Sequence, residues 1–399
     1  MFGNNKLNLQ TKVTLAVVLL IILAAAGYAL FVHNNKTTSH DFVSELVYAD
    51  PVKGQLYITD KDGKQLSKTA YPKFTSLAYQ AVAPNGGVLV SLHSGTDKES
   101  FIFTRNNAAK SFPAGATNQL RLASHLQTSH QIFFEDEKNI LLVSCADSKT
   151  SCVLNRLDLS NDKITKIIDT GAKQANASFP TAYLVGYSSS VHTAYLRIVG
   201  ADNKLGKATS AVYKIDTYSS KVTGKVDFPA ATSPALALSP DSNKLAYISV
   251  ESGNKATINI LDLEKNKTQK IQWDKGLIST LPGALKWSPD SKRLLVQTIS
   301  IGVSIPGASG KSLPLVVAYI DISKDGSVNV LQEINDPSHQ TLSNLGWLDN
   351  DTVVYQLKST SKAYDFSGAS NQTLKLDIGS KSSNPLKVPA GDLLQAINY

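Results

Sequence analysis

Much that would mark a familiar function is missing from this chain. There is no dense run of Lys or Arg and no basic helix, so a nucleic-acid role has no support. No G-x-S-x-G elbow and no H-E-x-x-H occurs, which removes the clearest signatures of a serine hydrolase and a zinc protease. The seven histidines are scattered; His125 and His130 stand five apart before a strand and read as surface residues rather than a metal pair. Gly307-Ala308-Ser309-Gly310-Lys311-Ser312 invites a phosphate-loop reading. Ile305 occupies the position where that motif needs glycine, however, and LPLVVAYID, a strand rather than a helix, follows. The carboxylate pairs Glu135/Glu137 and Asp349/Asp351 fall in turns, where a solvated role is expected. No cofactor, metal or catalytic residue is implied.

Cysteine is nearly absent. Cys145 and Cys152, in LLVSCADSKTSCVLNRL, end one expected strand and begin the next. An exported hairpin is where a disulfide forms and persists. The loop it closes is short, so its stabilisation is expected at or below the ~3 kcal/mol of a 15-residue loop. Two free thiols are the alternative, and zinc would need two further ligands from distant histidines. No cysteine lies near the N-terminal apolar run, which argues against a lipid-anchored lipoprotein.

That run, VTLAVVLLIILAAAGYALFV at 13–32, carries no charge. As a helix it rises about 30 Å, the thickness of a bilayer core. Lys6 and Lys12 precede it, and only Lys36 follows closely, which favours a cytoplasmic N-terminus. Ala24-Ala25-Ala26 offers a signal-peptidase site as the alternative, but the apolar stretch continues to Val32, longer than an ordinary signal core. The expected layout is a cytoplasmic tail at 1–12, a transmembrane signal anchor at 13–32, a polar stalk at 33–41 and an extracytoplasmic domain at 42–399. The net charge of +8, or +6 with Lys6 and Lys12 set aside, permits contact with an anionic wall polymer without demanding it.

From about Phe42 onward no long helical period appears. Instead a hairpin unit recurs: apolar strand, Asp or a near-equivalent, polar turn, second strand. Its copies begin at QLYITDKDGKQLSKT (55–69) and end at TLKLDIGSKSSNPLKV (373–388), seven in all. Between successive copies lies a second two-strand unit, six in all, with turns centred near Pro84, Asp136, Ser189, Pro240, Pro289 and Asp349. Over these 265 residues the turns average about 53 residues apart. Four-strand units at that period predict an all-β propeller.

The missing sixth-plus-one turn falls where the chain begins and ends. GDLLQAINY (391–399) is therefore expected to supply the innermost strand of a sheet completed by SELVYAD, QLYITD and KQLSKT. That arrangement favours seven blades; six with an irregular N-terminal pair is the alternative. Asp158, Asp216, Asp262, Asp321 and Asp377 recur at one offset. Repetition of that kind points to turn chemistry rather than a fivefold catalytic site.

LALSPDSNKLAYIS with INILDLEKNKTQKI, and LKWSPDSKRLLVQT with VVAYIDIS, resemble the repeats of TolB-type propellers. The match is good in two units, about 235–272 and 284–334, looser at Ala83-Pro84-Asn85-Gly86 and Trp347-Leu348-Asp349-Asn350, and one of spacing elsewhere. The resemblance implies the fold and an extracytoplasmic setting. TolB has six blades and a separate α/β domain that this chain lacks. The repeat motif is structural, so it names no functional residue.

Function is then expected in the longer loops. Trp273, in an expected inter-blade connection, and Tyr364, Asp365 and Phe366, in the loop 358–372, are the candidates to anchor a partner or a sugar. Packing of these aromatics onto their own sheet is the competing reading. The expected function is a non-catalytic binding or scaffold module for an envelope protein, peptide or wall polymer. The alternative is a glycan- or lactone-active hydrolase using the central channel.

Overall fold

A computed structural model describes residues 44–399 apart from 51–52, 72–75, 84–86, 94–98, 106–107, 113–131, 145–150, 174–181, 200–209, 229–231, 251–255, 275–283, 299–314, 325, 363–369, 390 and 399. The stretches expected to form the tail, anchor and stalk lie outside the described residues. Within the described residues all regular structure is β, arranged as seven four-stranded antiparallel sheets.

The first sheet joins the two ends of the domain. Its order is Asp392–Asn398, Ser44–Asp50, Gln55–Asp60, Gln65–Ala70. The other six are built from consecutive strands, and we number them in chain order. Their innermost and outermost strands are Ser76–Val82 and Ala108–Ser111 in sheet two, Ile132–Phe134 and Lys163–Lys173 in sheet three, and Ala182–Ser188 and Lys221–Asp227 in sheet four. They are Thr232–Leu238 and Lys267–Trp273 in sheet five, Leu285–Trp287 and Ser327–Ile334 in sheet six, and Gln340–Trp347 and Ser382–Pro385 in sheet seven. Each innermost strand touches the innermost strand of the next sheet, and that of sheet seven returns to Asp392–Asn398. The fold is an all-β propeller.

Burial follows from this stacking. A strand second from the centre has a neighbouring sheet on both faces, so Thr193–Val199 is buried almost continuously rather than in alternation. The outermost strands are sheet edges; Lys221–Asp227 and Lys267–Trp273 are mostly exposed and carry Lys221, Lys225, Lys267 and Lys270. Lysines on an exposed edge oppose pairing with another chain.

Seven apolar clusters fill the seven seams. The cluster between sheets five and six contains Ile258, Ile271, Trp287 and Val316. Between sheets three and four lie Leu154, Leu184 and Tyr213. The closing seam sets Leu46, Tyr48, Tyr57 and Leu393 of sheet one against Leu348 and Val354 of sheet seven.

Polar stitches set the register between sheets. In sheet five the Ser239 hydroxyl donates to Asp241 (2.5 Å) and accepts the N–H of Lys244 (2.9 Å). Ser288 repeats both bonds with Asp290 and Arg293. The turns are then tied to one another: the Asp241 N–H donates to the Ser291 hydroxyl of sheet six (3.0 Å), and the Asp290 N–H to the Asn350 side chain of sheet seven (2.9 Å). The Trp287 and Trp347 indoles each donate across a seam, to the carbonyls of Ala237 and Lys286.

At the closing seam Gln356 of sheet seven acts in the same way. Its amide donates to the Gly391 carbonyl (3.1 Å) and accepts the Leu393 N–H (3.3 Å). Gly391 has φ +146°, and a Cβ there would stand 2.4 Å from the Ala49 carbonyl oxygen. Only glycine lets the last strand enter so close to its partner.

The expectation for residues 391–399 thus meets a paired strand, with Leu46 opposite Ala396 and Val47 opposite Gln395. Leu393 is fully buried, and Leu394 packs partly buried toward sheet two. Ending the chain at Ala390 removes both side chains, roughly 1.5–3 kcal/mol each, and exposes the backbone edge of Ser44–Asp50. Against a typical net stability of about 5–15 kcal/mol, the truncated domain is expected to be insoluble or to melt far below the intact one. A thermal melt of the two forms checks this; a difference of a few degrees would make the strand dispensable.

Candidate functional site

The recurrent aspartates are fully engaged in turns. Asp158 accepts the Ser160 N–H and hydroxyl (2.8 and 2.6 Å), Asp216 the N–H groups of Tyr218 and Ser219 (2.9 and 2.7 Å), and Asp262 those of Glu264 and Lys265 (3.1 and 2.8 Å). Asp321 caps through Ser323, and Asp377 through Ser380. Four residues after Asp158, Asp216, Asp262 and Asp377 come Asp162, Ser220, Asn266 and Lys381, each at φ between 51° and 59°. The carboxylate satisfies the N–H groups of a turn whose closing residue is left-handed.

Glu135 differs from the expected solvated turn residue. Next to it Asp136 caps the turn, accepting the N–H groups of Lys138 and Asn139 (2.7 and 2.8 Å). Glu135 is instead turned inward and buried. Arg156, on Ser151–Asp158, grips it with two bonds, Nε to Oε2 and Nη2 to Oε1, the latter 2.6 Å. Thr217 of sheet four adds its hydroxyl to Oε1 (2.6 Å), and its carbonyl accepts from Arg156 Nη2 (3.1 Å). Thr217 in turn donates its N–H to the His192 carbonyl (3.0 Å). The knot therefore joins sheet three to two turns of sheet four. The Glu135 bond holds the Arg156 guanidinium above its ordinary pKa. Burial, with the Glu135 charge second, pushes the Tyr187 phenol up to about 12.

Above the knot sits an aromatic platform. The Tyr218 ring lies 5.8 Å from the Arg156 guanidinium carbon and meets the His192 ring edge-on, centroids 4.5 Å apart. Tyr187 reaches His192 Nδ1 at 3.4 Å. The ring is braced on two sides yet 67% exposed. Val191 (58%), next to His192, and Val222 (37%), four residues after Tyr218, are exposed on the same two hairpins. Three of the four exposed large apolar side chains among the described residues thus belong to one sheet. The charges beneath are mutually satisfied, so what this face offers a ligand is a rigid apolar and aromatic surface.

The sequence candidates fare differently. Trp273 is not a loop residue: it ends Lys267–Trp273 and is buried in the seam between sheets five and six, because the connection begins one residue later than expected. Tyr364, Asp365 and Phe366 lie outside the described residues, as do His125, His130 and the glycine-rich string at 307–312. Cys152 is fully buried beside Leu154, and Cys145 lies outside the described residues. Asp349 caps the Asp351 N–H (2.9 Å), and Asp351 pairs with Arg293 (2.9 Å). Among the described residues no three metal-ligating side chains converge. Tyr218 and Val191 were missed, although apolar residues inside SSSVHT and DTYSSK break the polar pattern of the other turns.

No family model matches the chain, and no curated protein does. Among solved structures it is similar to TolB from Acinetobacter baumannii (14% identity, TM-score 0.44), covering 72% of this chain and 63% of that one. It is also similar to a hypothetical selenium-binding protein from Sulfolobus tokodaii (12%, 0.49; 89% and 90% covered). A third is the β-propeller domain of the Trilobed protease from Pyrococcus furiosus (13%, 0.45; 79% and 86% covered). These likenesses are of the propeller fold alone, and nothing is carried from those proteins to this chain.

Two outcomes are expected. Glu135→Gln leaves the Arg156 charge without its counter-charge and should lower stability by about 2–3 kcal/mol in denaturant melts, below the full cost of a wholly buried pair because Arg156 is 24% exposed. Replacing both residues with leucine should cost less than that single change. The second concerns acid. Asp158 is held below the usual carboxylate range by the Ser160 hydroxyl, Asp216 by the Ser219 N–H, Asp262 by the Lys265 N–H and Asp377 by the Ser380 N–H. A pKa depressed on folding gives stability that is present above the unfolded value, about 3.9, and lost as pH falls through the folded one. Melting temperature should therefore decline below about pH 4, and Asp216→Asn should flatten that decline.

Proposed function

We propose that this chain is a membrane-anchored, extracytoplasmic, seven-bladed β-propeller that binds another envelope protein and carries out no chemistry of its own. The observation that carries the binding reading is the braced Tyr218 platform with Val191 and Val222. Isolated exposed apolar residues are ordinary, but three of the four such residues among those described lie on the two hairpins of one sheet, around the braced ring. Its aromatic and apolar side chains favour a protein or peptide over an anionic wall polymer.

The blade count rests on the seven sheets and the seven apolar seams between them. The anchor rests on the uncharged run at 13–32 and the lysines before it. A Cys145–Cys152 bridge fits the same compartment, and no free cysteine occurs among the described residues.

The channel-hydrolase reading has one feature in its favour. Lys286, on the innermost strand of sheet six, has its ammonium pushed down to about 8 by burial. That is a poised amine, but no partner carboxylate or second reacting group accompanies it among the described residues.

The test is a photo-crosslinking residue placed at position 218 of the full chain in its native envelope, with position 381, an exposed turn of sheet seven, as control. A discrete protein adduct from 218 and none from 381 is expected. External protease should remove the region after Val32 and spare the first dozen residues, and Cys145 and Cys152 should resist alkylation until reduced. Equal labelling at both positions, together with turnover on a hydrolase substrate panel, would move the enzyme reading ahead.

A further inference from the structure

A second site lies away from this platform. Between sheets six and seven a cleft of about 330 Å³ opens where the outer strand Ser327–Ile334 hands the chain to Gln340–Trp347. Its wall carries three carboxamides, Gln332, Asn335 and Gln340, and two carboxylates, Glu333 and Asp336. Tyr355 from the second strand of sheet seven contributes its buried ring. Among the described residues no lysine or arginine lines it.

The lining is organised before any ligand arrives. Asp336 is fixed by the Ser338 hydroxyl (2.5 Å) and by His339 Nδ1 (3.0 Å). Tyr355 is held through its hydroxyl, 3.2 Å from the Ser383 hydroxyl.

From this cleft we infer a binding site for a neutral saccharide of roughly one or two pyranose rings, a size that suits the lower end of ligand-pocket volumes. Planar amide and carboxylate side chains present paired donors and acceptors, the complement of vicinal hydroxyls. The partly exposed Leu357, beside Ile334 and Tyr355, gives the cleft an apolar floor for the C–H side of a sugar ring. Asp336 is paired only with His339 and Glu333 adds a second carboxylate; with no lysine or arginine among the described lining residues, they disfavour uronic acids and phosphorylated polymers, so the ligand is uncharged. The site is independent of the protein-binding face and does not depend on that reading.

The experiment is calorimetric titration of the full-length protein, in a detergent without a sugar headgroup, with chitobiose and with cellobiose. Digalacturonic acid and trilysine are the anionic and cationic controls. Saturable binding of at least one neutral disaccharide is expected. It should weaken about tenfold, the worth of one or two lost hydrogen bonds, in Gln340→Ala and in Asn335→Ala. The latter is an exposed turn position whose change leaves the strands intact. Tyr218→Ala should bind the disaccharide as the native protein does, which separates this site from the protein-binding face. No saturation with either neutral disaccharide, equal affinity in both cleft variants, or preference for trilysine would overturn the assignment.

Discussion

Ring closure is the constraint on which the rest of this structure depends. Every sheet buries both faces against neighbours, so none has a core of its own and none is stable by itself. Leaving one seam open would expose two apolar faces and one backbone edge. The chain closes the ring by giving its last strand, Asp392–Asn398, to the sheet that its first strands began. Among the described residues that final seam has six buried apolar residues, against fifteen between sheets five and six. A smaller apolar contact calls for better polar registration, and Gln356, bonded to both Gly391 and Leu393, supplies it.

The other seams use the inner turns for the same purpose. A Ser-Pro-Asp-Ser turn has two kinds of work. Its first serine and its aspartate satisfy the turn's own backbone, while the final serine of one turn accepts an N–H from the turn before it. Sheet seven substitutes Asn350 for that serine, and the longer side chain makes the equivalent bond. The energy of each such bond is modest, about 1 kcal/mol. Their value lies in register: a one-residue slip would turn a buried face outward.

How much of this was legible in the residues depends on whether local chemistry decided the outcome. The recurrent aspartates were legible because a carboxylate capping the next two or three N–H groups needs nothing beyond its own turn. The closing strand was legible from counting, since an unpaired hairpin at each end has only one place to go. Glu135 was not legible. Its neighbour Asp136 is the turn-capping acid, and the two look interchangeable in FFEDEKN until Arg156 and Thr217 arrive from elsewhere in the chain. Trp273 misled for a boundary reason, a strand running one residue further than its polar pattern KTQKIQ suggested. Tyr218 follows a capping aspartate exactly as serine or glutamate does in other turns, so only its exposure sets it apart. The saccharide cleft is assembled from a strand end, a connection and a strand of the next sheet, and no sequence window contains it.

These restrictions also say where function can reside. Strand faces are occupied by neighbouring sheets, the inner edges by one another, and the outer edges are guarded by lysines such as Lys221 and Lys267. Turn residues that cap or stitch are already committed. What remains free are turn positions with no backbone duty and gaps where one sheet passes the chain to the next. The Tyr218 platform is of the first kind and the Gln332–Gln340 cleft of the second. One is apolar above a paired Arg156 and Glu135; the other is polar, with two carboxylates and no lysine or arginine among its described lining residues. Surfaces so different in chemistry select different ligands, and they sit on sheets four and six–seven, which share no seam. Any influence of one ligand on the other would have to pass through the whole of sheet five and two packed seams, and none of the described elements has two alternative packings to carry it, so the ring acts as a spacer between the two contacts.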